Sequence, residues 1–333
     1  MTTRRQFLAT TIAGVSAGAL SGFPTVALAQ GATQIRISTA APPSDFLTKS
    51  LEQLRTDVEA ANAGLNVSVH PASTLFKQGT EVQALQRGNL EMSTMTTFEV
   101  AQQIPALGLF NRGYLFKDYA HLRRVFDGPL GESYRQIVSD KMDIEILAVA
   151  YLGTRQVNLR QKRAVKAPAD LAGVKMRMPS GPEWLLLGRS LGVTPVPMGM
   201  PEVYLALKTG TVDGQENPLS ILNAAKFYEV TEQVALTSHM IQPVFFNIAK
   251  RAWSKLSDAQ KKVLKDAALK NAKAGSDARL ADETHIVDDL KKRGVAVDAI
   301  DLAPFRAEAD KIYAGADYAK SWDKAMLDKV LAA

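Results

Sequence analysis

A five-element series of alternating strands and helices occurs twice in this chain. The first series, ordered strand, helix, strand, helix, strand, is predicted at residues 34–39, 45–61, 66–70, 79–87 and 90–95. The second has the same order, at residues 174–178, 183–191, 193–197, 202–208 and 212–216. Each series ends on a helix, a glycine (Gly88 or Gly210) that can adopt the left-handed conformation, and a short strand. Such units occur in many α/β proteins, but their place at the end of both series predicts two similar lobes.

Alternating strands and helices predict an α/β fold with mostly parallel sheets covered by helices on both faces. Ligands of such folds bind at the carboxyl ends of the strands, so two lobes whose strand ends face each other enclose a hinged cleft. Further buried strands are predicted at 144–151 and 242–249, and long C-terminal helices at 257–292 and from residue 303 onward. The chain crosses between the lobes near Leu152–Gly153 and near Gln242, and these crossings are the candidate hinges.

The N-terminus has the three parts of an export signal in the expected order. The twin arginine Arg4-Arg5 precedes a weakly apolar run that ends at Leu20, and the small residues Ala27-Leu28-Ala29 come just before Gln30. A spanning helix needs about 20 predominantly apolar residues, so a retained membrane anchor is the less favoured alternative. We expect a twin-arginine signal that is cleaved after Ala29 and a mature protein in the periplasm.

These features divide the chain into four predicted segments. They are the export signal at 1–29, a first lobe at 30–152 plus 243–282, a second lobe at 153–242 plus 283–310, and a C-terminal helix at 311–333. Two domains suit the length, because single hydrophobic cores stop growing below the size of the mature chain.

Composition excludes several kinds of chemistry and partner. The chain has no cysteine, and therefore no disulfide, thiolate metal site or cysteine nucleophile. Its formal net charge of +6 is mild, and its basic residues are interspersed with acidic ones. No basic run interleaved with aromatic residues marks a nucleic-acid surface. We therefore expect no nucleic-acid partner.

An exported enzyme acting on a small organic acid is the rival function. The four histidines, at positions 70, 121, 239 and 285, are widely spaced and lack the pairing of metal ligands. The one G-x-S-x-G string, residues 14–18, lies inside the export signal, and no phosphate loop or dinucleotide fingerprint is present. We predict no catalytic residue, metal site or cofactor. A protein that reports its closed form to a sensor kinase would share the same cleft.

Arg177 is the first candidate for holding a ligand. It lies in the predicted strand 174–178, just before Pro179-Ser180-Gly181, which puts it at the carboxyl edge of a sheet. A guanidinium there presents a rigid fork of donors that matches a carboxylate in two parallel hydrogen bonds. The alternative is a strand-end arginine tied to a neighbouring Asp or Glu.

Five other residues lie where the predicted cleft opens. Glu216 ends the last strand of the second series and Asn217 follows it, at the same sheet edge, although Asn217 also suits an ordinary turn before proline. Arg155 follows a buried strand and can supply a second positive group or be a surface charge. Thr97 and Phe98 end a strand of the first lobe, suited to hydroxyl contacts and an aromatic cover, with a solvated loop as the alternative.

Several segments together resemble one protein family. The stretch 170–218 contains K-x-R-x-P and E-V-Y-x-A-L-x-x-G-x-V-D-G-x-E-N-P, and it is supported by PASTLFKQGTEVQALQRGNLEM (71–92), YLGTRQV (151–157) and WSKLSDAQ (253–260). This combination is similar to the periplasmic solute-binding subunits of tripartite ATP-independent periplasmic (TRAP) transporters, of the DctP type. The resemblance covers nearly all of the mature chain.

The resemblance implies a two-lobed periplasmic binding protein, type II-like, that gives a small organic acid anion to TRAP membrane permease subunits. It implies that Arg177 clamps the ligand carboxylate, that Arg155 assists, and that Asn217 also contacts the ligand. Sugar acids, dicarboxylates and sialic acid are ligands of this family. Met200 stands where the sialic-acid binders carry an aromatic residue, which argues against sialic acid, although methionine packs against varied shapes.

Overall fold

Nine strands form one continuous sheet within residues 32–333, the part of the chain that the computed structural model describes. They are β1 (Thr33–Ser38), β2 (Leu65–His70), β3 (Met92–Met95), β4 (Ile144–Leu159), β5 (Lys175–Met178), β6 (Thr194–Pro197), β7 (Gly214–Pro218), β8 (Gln233–Ala249) and β9 (Ala296–Ala299). The export signal predicted at residues 1–29 lies outside the described residues.

The order of the strands repeats the series found in the sequence. Across the sheet it is β2-β1-β3-β8-β4-β7-β5-β6, with β9 beside β8. Each lobe contains three parallel strands, β1 to β3 in the first and β5 to β7 in the second. In both lobes the second strand in chain order lies at the edge of the sheet, and the third lies next to a long central strand. The long strands β4 and β8 are antiparallel to each other and to the strands beside them, β7 and β3. The two-lobed, mostly parallel α/β fold predicted from the sequence is confirmed.

Thirteen α-helices are present in the described residues. They are α1 (Phe46–Ala60), α2 (Glu81–Arg87), α3 (Thr97–Gln103), α4 (Tyr119–Asp127), α5 (Pro129–Met142), α6 (Pro182–Ser190), α7 (Val203–Thr209), α8 (Leu219–Ala224), α9 (Lys250–Trp253), α10 (Asp258–Glu283), α11 (Ile286–Lys292), α12 (Ala303–Gly315) and α13 (Lys324–Ala332). The helical stretch predicted at 257–292 is divided between α10 and α11. None of the helices within 32–333 is both long enough and apolar enough to cross a bilayer.

Local signals in the sequence explain where several helices begin and end. Asp45 caps α1 by accepting a hydrogen bond from the Leu47 N–H at 2.8 Å, and Ser257 caps α10 in a capping box with Gln260. The glycines that end α2 and α7 have left-handed backbones, with φ of 76° at Gly88 and 75° at Gly210. The repeated helix–glycine–strand unit therefore has the same backbone conformation in both lobes.

The central strands are longer than predicted. The expected strands at 144–151 and 242–249 extend to Leu159 and back to Gln233, so they join both lobes in one sheet. The prediction missed these extensions because they bury polar residues, Arg155 among them, where an apolar pattern is the usual sign of a central strand. Gly153 pairs with Gln242, so the two candidate hinges lie opposite each other.

Four hydrophobic clusters cover the sheet, two in each lobe. In the first lobe one cluster packs α1 and α10 against the sheet, and the other packs α4, α5 and the C-terminal α13. In the second lobe one cluster contains α6 and Phe305 of α12, and the other contains α7, α8 and α11. Because Ala32–Ala333 form one compact unit, the exact boundaries of the lobes remain a prediction.

Candidate ligand-binding site

A cavity lies where the two lobes meet the central strands. Its empty volume is about 770 Å³, counting the open mouth. Both lobes and the long strands line it, with Thr39, Gln78, Glu81, Thr94 and Glu99 from the first lobe, Arg177, Trp184, Met200 and Asn217 from the second, and Leu152, Arg155, Gln242 and Val244 from β4 and β8. The cavity therefore occupies the position predicted for a ligand cleft.

Arg177 lies on β5 in the wall of this cavity. Its side chain is held by neutral acceptors, because Nε donates to the Met198 carbonyl at 2.9 Å and Nη2 donates to Gln78 Oε1 at 3.3 Å. Gln78 belongs to the first lobe and also accepts from the Met200 N–H at 2.8 Å. It thus links the two lobes beside the guanidinium.

The charge of Arg177 is not compensated by an ion pair within residues 32–333. Three arginines are almost completely buried there, and two of them pair with carboxylates, Arg155 with Glu216 and Arg279 with Asp45. Arg177, which is only 1% exposed, has no such partner. Burial lowers the pKa of Arg177 to about 9, Glu216 opposes this shift, and Arg155 adds to it. The group is still a cation at neutral pH, so the site favours an anion.

Arg155 also lines the cavity, but the protein itself balances its charge. Nη2 donates to Glu216 Oε1 at 2.6 Å and Nη1 donates to Gln242 Oε1 at 2.7 Å. The guanidinium lies over the Trp184 ring, with 4.9 Å between Cζ and the ring centroid. Of the two alternatives for Arg155, a second positive group for a ligand or a surface charge, the surface charge is excluded because the side chain is buried. A ligand contact of Arg155 stays a prediction, and the structure pairs its charge with Glu216.

Glu216 is fully buried behind the cavity wall, on β7. Burial raises its pKa, but Arg155 and His239 outweigh this effect, and the net result is a lowered pKa. His239 Nε2 lies 2.9 Å from Glu216 Oε2, and burial lowers the pKa of this histidine. Glu216 forms an ion pair with Arg155 and does not line the cavity, and its predicted ligand contact stays a prediction.

Asn217 and Met200 line the cavity on the same side as Arg177. Asn217 lies inside β7 rather than after it, opposite Gln156, and its Nδ2 donates to Gln215 Oε1 at 2.6 Å. Met200 begins a short 3-10 helix before α7. The structure therefore brings together three predicted residues, Arg177, Asn217 and Met200, with Arg155 adjacent.

Thr97 and Phe98 do not line the cavity. They begin α3 instead of ending a strand, because Thr96 caps that helix in a capping box with Glu99. Phe98 is buried and stacks on Trp184 of the second lobe, with 3.5 Å between ring centroids and 7° between ring planes. It is Trp184, not Phe98, that presents an aromatic surface to the cavity.

Sequence reasoning missed several polar residues in the cavity wall, among them Gln78, Glu81, Glu99 and Gln242. Gln242 was considered only as a hinge, yet its Nε2 is buried without a hydrogen-bond partner in the described chain. The positions of Gln78 and Glu81 could have been predicted. Both lie after the end of β2, at or just before the start of α2, and ligands of α/β folds bind at the carboxyl ends of the strands.

The sequence profile of the DctP family, described as bacterial extracellular solute-binding protein family 7, matches residues 37–320. The chain belongs to this family. As a DctP protein it is a periplasmic solute-binding protein of the TRAP type. Within residues 32–333, no group of three or more His, Asp or Glu side chains is arranged to hold a metal ion.

Three relatives show how this DctP protein compares with others. The sialic acid-binding periplasmic protein of Vibrio cholerae is 30% identical over 283 residues, 85% of this chain and 88% of that protein. A TRAP solute-binding protein of Roseobacter denitrificans, solved with 3-deoxy-D-manno-oct-2-ulosonic acid, is 39% identical with a TM-score of 0.86, covering 90% of this chain and 99% of that one. A second Roseobacter denitrificans structure, solved with L-galactonate, has 25% identity, a TM-score of 0.82, and coverage of 90% and 98%.

Proposed function

We propose that this protein captures a small organic acid in the cavity between its lobes and delivers it unchanged to TRAP membrane permease subunits. The observation that carries the proposal is the buried Arg177 cation in the cavity wall, which forms no ion pair within residues 32–333. A carboxylate can accept two parallel hydrogen bonds from that guanidinium. Relatives solved with sugar acids support the same class of ligand.

Gln78 suggests how the ligand couples to closure. Its amide oxygen accepts from Nη2 of Arg177 and from the Met200 N–H, so it bridges the lobes at the place where a carboxylate would bind. An acid anion is a stronger acceptor for the guanidinium than a neutral amide. Binding then favours the closed arrangement, in which both lobes contact the acid, through differential contacts in the two states.

An exported enzyme that acts on a small organic acid is the rival function. We assign no chemical step to this site. The basic groups next to the cavity are already engaged, since Arg155 is paired with Glu216 and the buried His239 is turned to the same carboxylate. We therefore assign neither Arg155 nor His239 as a general base. The relatives are solute-binding proteins, which supports capture of the acid without chemical conversion.

A calorimetric comparison of an acid with its alcohol tests the proposal. We expect the protein to bind at least one of 3-deoxy-D-manno-oct-2-ulosonic acid, L-galactonate and D-erythronate. The matching polyol, such as galactitol for L-galactonate, should bind at least about 100-fold more weakly, because it lacks the anion that Arg177 requires and each of the two charged hydrogen bonds contributes about 1.5–3 kcal/mol.

Equal affinity for acid and polyol would contradict a carboxylate site. Chromatography of the acid after long incubation provides the second readout. Recovery of the unchanged acid agrees with capture alone, and conversion to a product would favour the enzyme.

Export through a twin-arginine signal is a separate part of the proposal. In the native host, replacing Arg4 and Arg5 with lysines should keep the precursor out of the periplasm, because twin-arginine signals are read by their arginine pair. N-terminal sequencing of the periplasmic wild-type protein should begin at Gln30. Normal export of the lysine variant, or a different first residue, would overturn this assignment.

A further inference from the structure

The cavity wall also contains two carboxyl groups, Glu81 and Glu99. Glu81 opens α2, and its Oε2 accepts from the Gly79 N–H at 2.7 Å. Glu99 lies in the first turn of α3, and its Oε2 accepts from the Thr96 N–H at 2.8 Å. Both side chains line the same cavity as Arg177 but belong to the first lobe.

The pKa values of these two carboxyls show which groups act on them. Burial, together with a smaller effect of the charge of Glu99, raises the pKa of Glu81 to about 7. Burial also raises the pKa of Glu99. No basic side chain within residues 32–333 is among the groups that shift either pKa, and neither glutamate is among the charges that act on Arg177. The cavity is therefore cationic at the Arg177 side and acidic at the side of α2 and α3.

Neutral polar groups complete the wall. Thr94 Oγ1 donates to Thr39 Oγ1 at 2.8 Å, and both threonines line the cavity. Gln242, which is 0% exposed, presents an Nε2 donor with no partner in the described chain. Hydroxyl groups, which both donate and accept, can satisfy these groups and the carboxyl oxygens together.

We infer that the cavity selects a polyhydroxy monocarboxylate and rejects the dicarboxylate of the same chain length, because Glu81 and Glu99 accept hydroxyl donors and repel a second carboxylate. This inference rests on the proposed function, since it assumes that the first carboxylate binds Arg177. The second carboxylate of a diacid would have to lose its hydration beside two carboxyl groups with no cation to compensate it. A terminal hydroxyl has no such cost.

Matched acid pairs provide the test. L-galactonate and galactarate differ only in a terminal CH₂OH or carboxylate, and D-erythronate and meso-tartrate differ in the same way. Calorimetry at pH 8, above the pKa of about 7 of Glu81, should give at least about 30-fold tighter binding of the monoacid in a pair that binds. The Glu81→Gln variant keeps the size of the side chain and removes its charge, so it should reduce this ratio at least about 5-fold, mainly by gaining affinity for the diacid.

Glu132→Gln is the matched control, because Glu132 also lies in the first turn of a helix of the first lobe, α5, but is exposed and outside the cavity. Its ratio should equal that of the wild type. Glu99→Gln, which retains an oxygen for the capping box, is the second variant if Glu81→Gln fails to fold by circular dichroism.

Equal or tighter binding of the diacid, or a ratio that neither cavity variant changes, would overturn the inference. If both acids of a pair bind equally and Arg177→Met abolishes both, the inference fails while the proposed function stands. If no acid binds, both fail.

Discussion

Replacing Arg177 with methionine lowers the affinity for the bound acid at least about 100-fold and leaves the ligand-free protein as stable as the parent or more stable. The loss follows because the ligand carboxylate is then buried without its partner, which costs about 3–5 kcal/mol. The stability follows because the guanidinium is buried without an ion pair in the free protein, and methionine keeps the apolar volume without the charge. Calorimetry and thermal unfolding measure the two effects.

Arg177→Lys is the control that separates charge from shape. It keeps a cation but loses the planar fork of donors, so we expect an intermediate loss of affinity of about 10-fold. Unchanged binding in Arg177→Met would contradict the assignment. A ligand-free Arg177→Met protein that unfolds many degrees below the parent would also contradict it, because that result requires a partner for the charge.

Replacing Arg155 with methionine has the opposite effect on the free protein. Glu216 then remains fully buried and loses the guanidinium with which it forms a direct ion pair. We expect a loss of about 3–5 kcal/mol in the free energy of unfolding, measured by denaturant titration without ligand. The two buried arginines of the cavity are therefore expected to have different roles. Arg155 stabilises the fold, and Arg177 binds the ligand.

The double variant Arg155→Met with Glu216→Gln checks the cause. Removing both charges eliminates the orphaned carboxylate, so the double variant should be clearly more stable than the sum of the two single losses predicts. An Arg155→Met protein as stable as the parent would show that the pair contributes nothing, and additive losses would show that the two side chains do not interact.

Much of the fold could be predicted because its signals are local. Each strand of the two series is short and apolar or alternating. The second helix of each series ends at a glycine, Gly88 or Gly210, and glycine is the residue type that favours the left-handed backbone found there. The same signals fail for the part of β4 after residue 151 and the part of β8 before residue 242. These segments bury polar residues, and they pair with strands that are distant in the sequence. Only tertiary pairing shows that these segments are central strands.

Only those site residues were predicted correctly whose position relative to a strand end is enough to place them in the cavity wall. Arg177, Asn217 and Met200 line the cavity because each lies near the carboxyl edge of the second lobe. The state of Arg155 could not be predicted, since its neutralisation depends on Glu216, which reaches it from another strand. Phe98 is an aromatic residue next to a strand end, but the capping box at Thr96 starts a helix there and turns the ring into the second lobe.

The binding role of Arg177 is tested most directly by a crystal structure of the protein with the acid that binds most tightly in the calorimetric panel. We predict a single acid in the cavity, with both carboxylate oxygens about 2.7–2.9 Å from nitrogen atoms of Arg177. A carboxylate bound elsewhere in the cavity, with the Arg177 guanidinium still held only by Met198 and Gln78, would contradict the account.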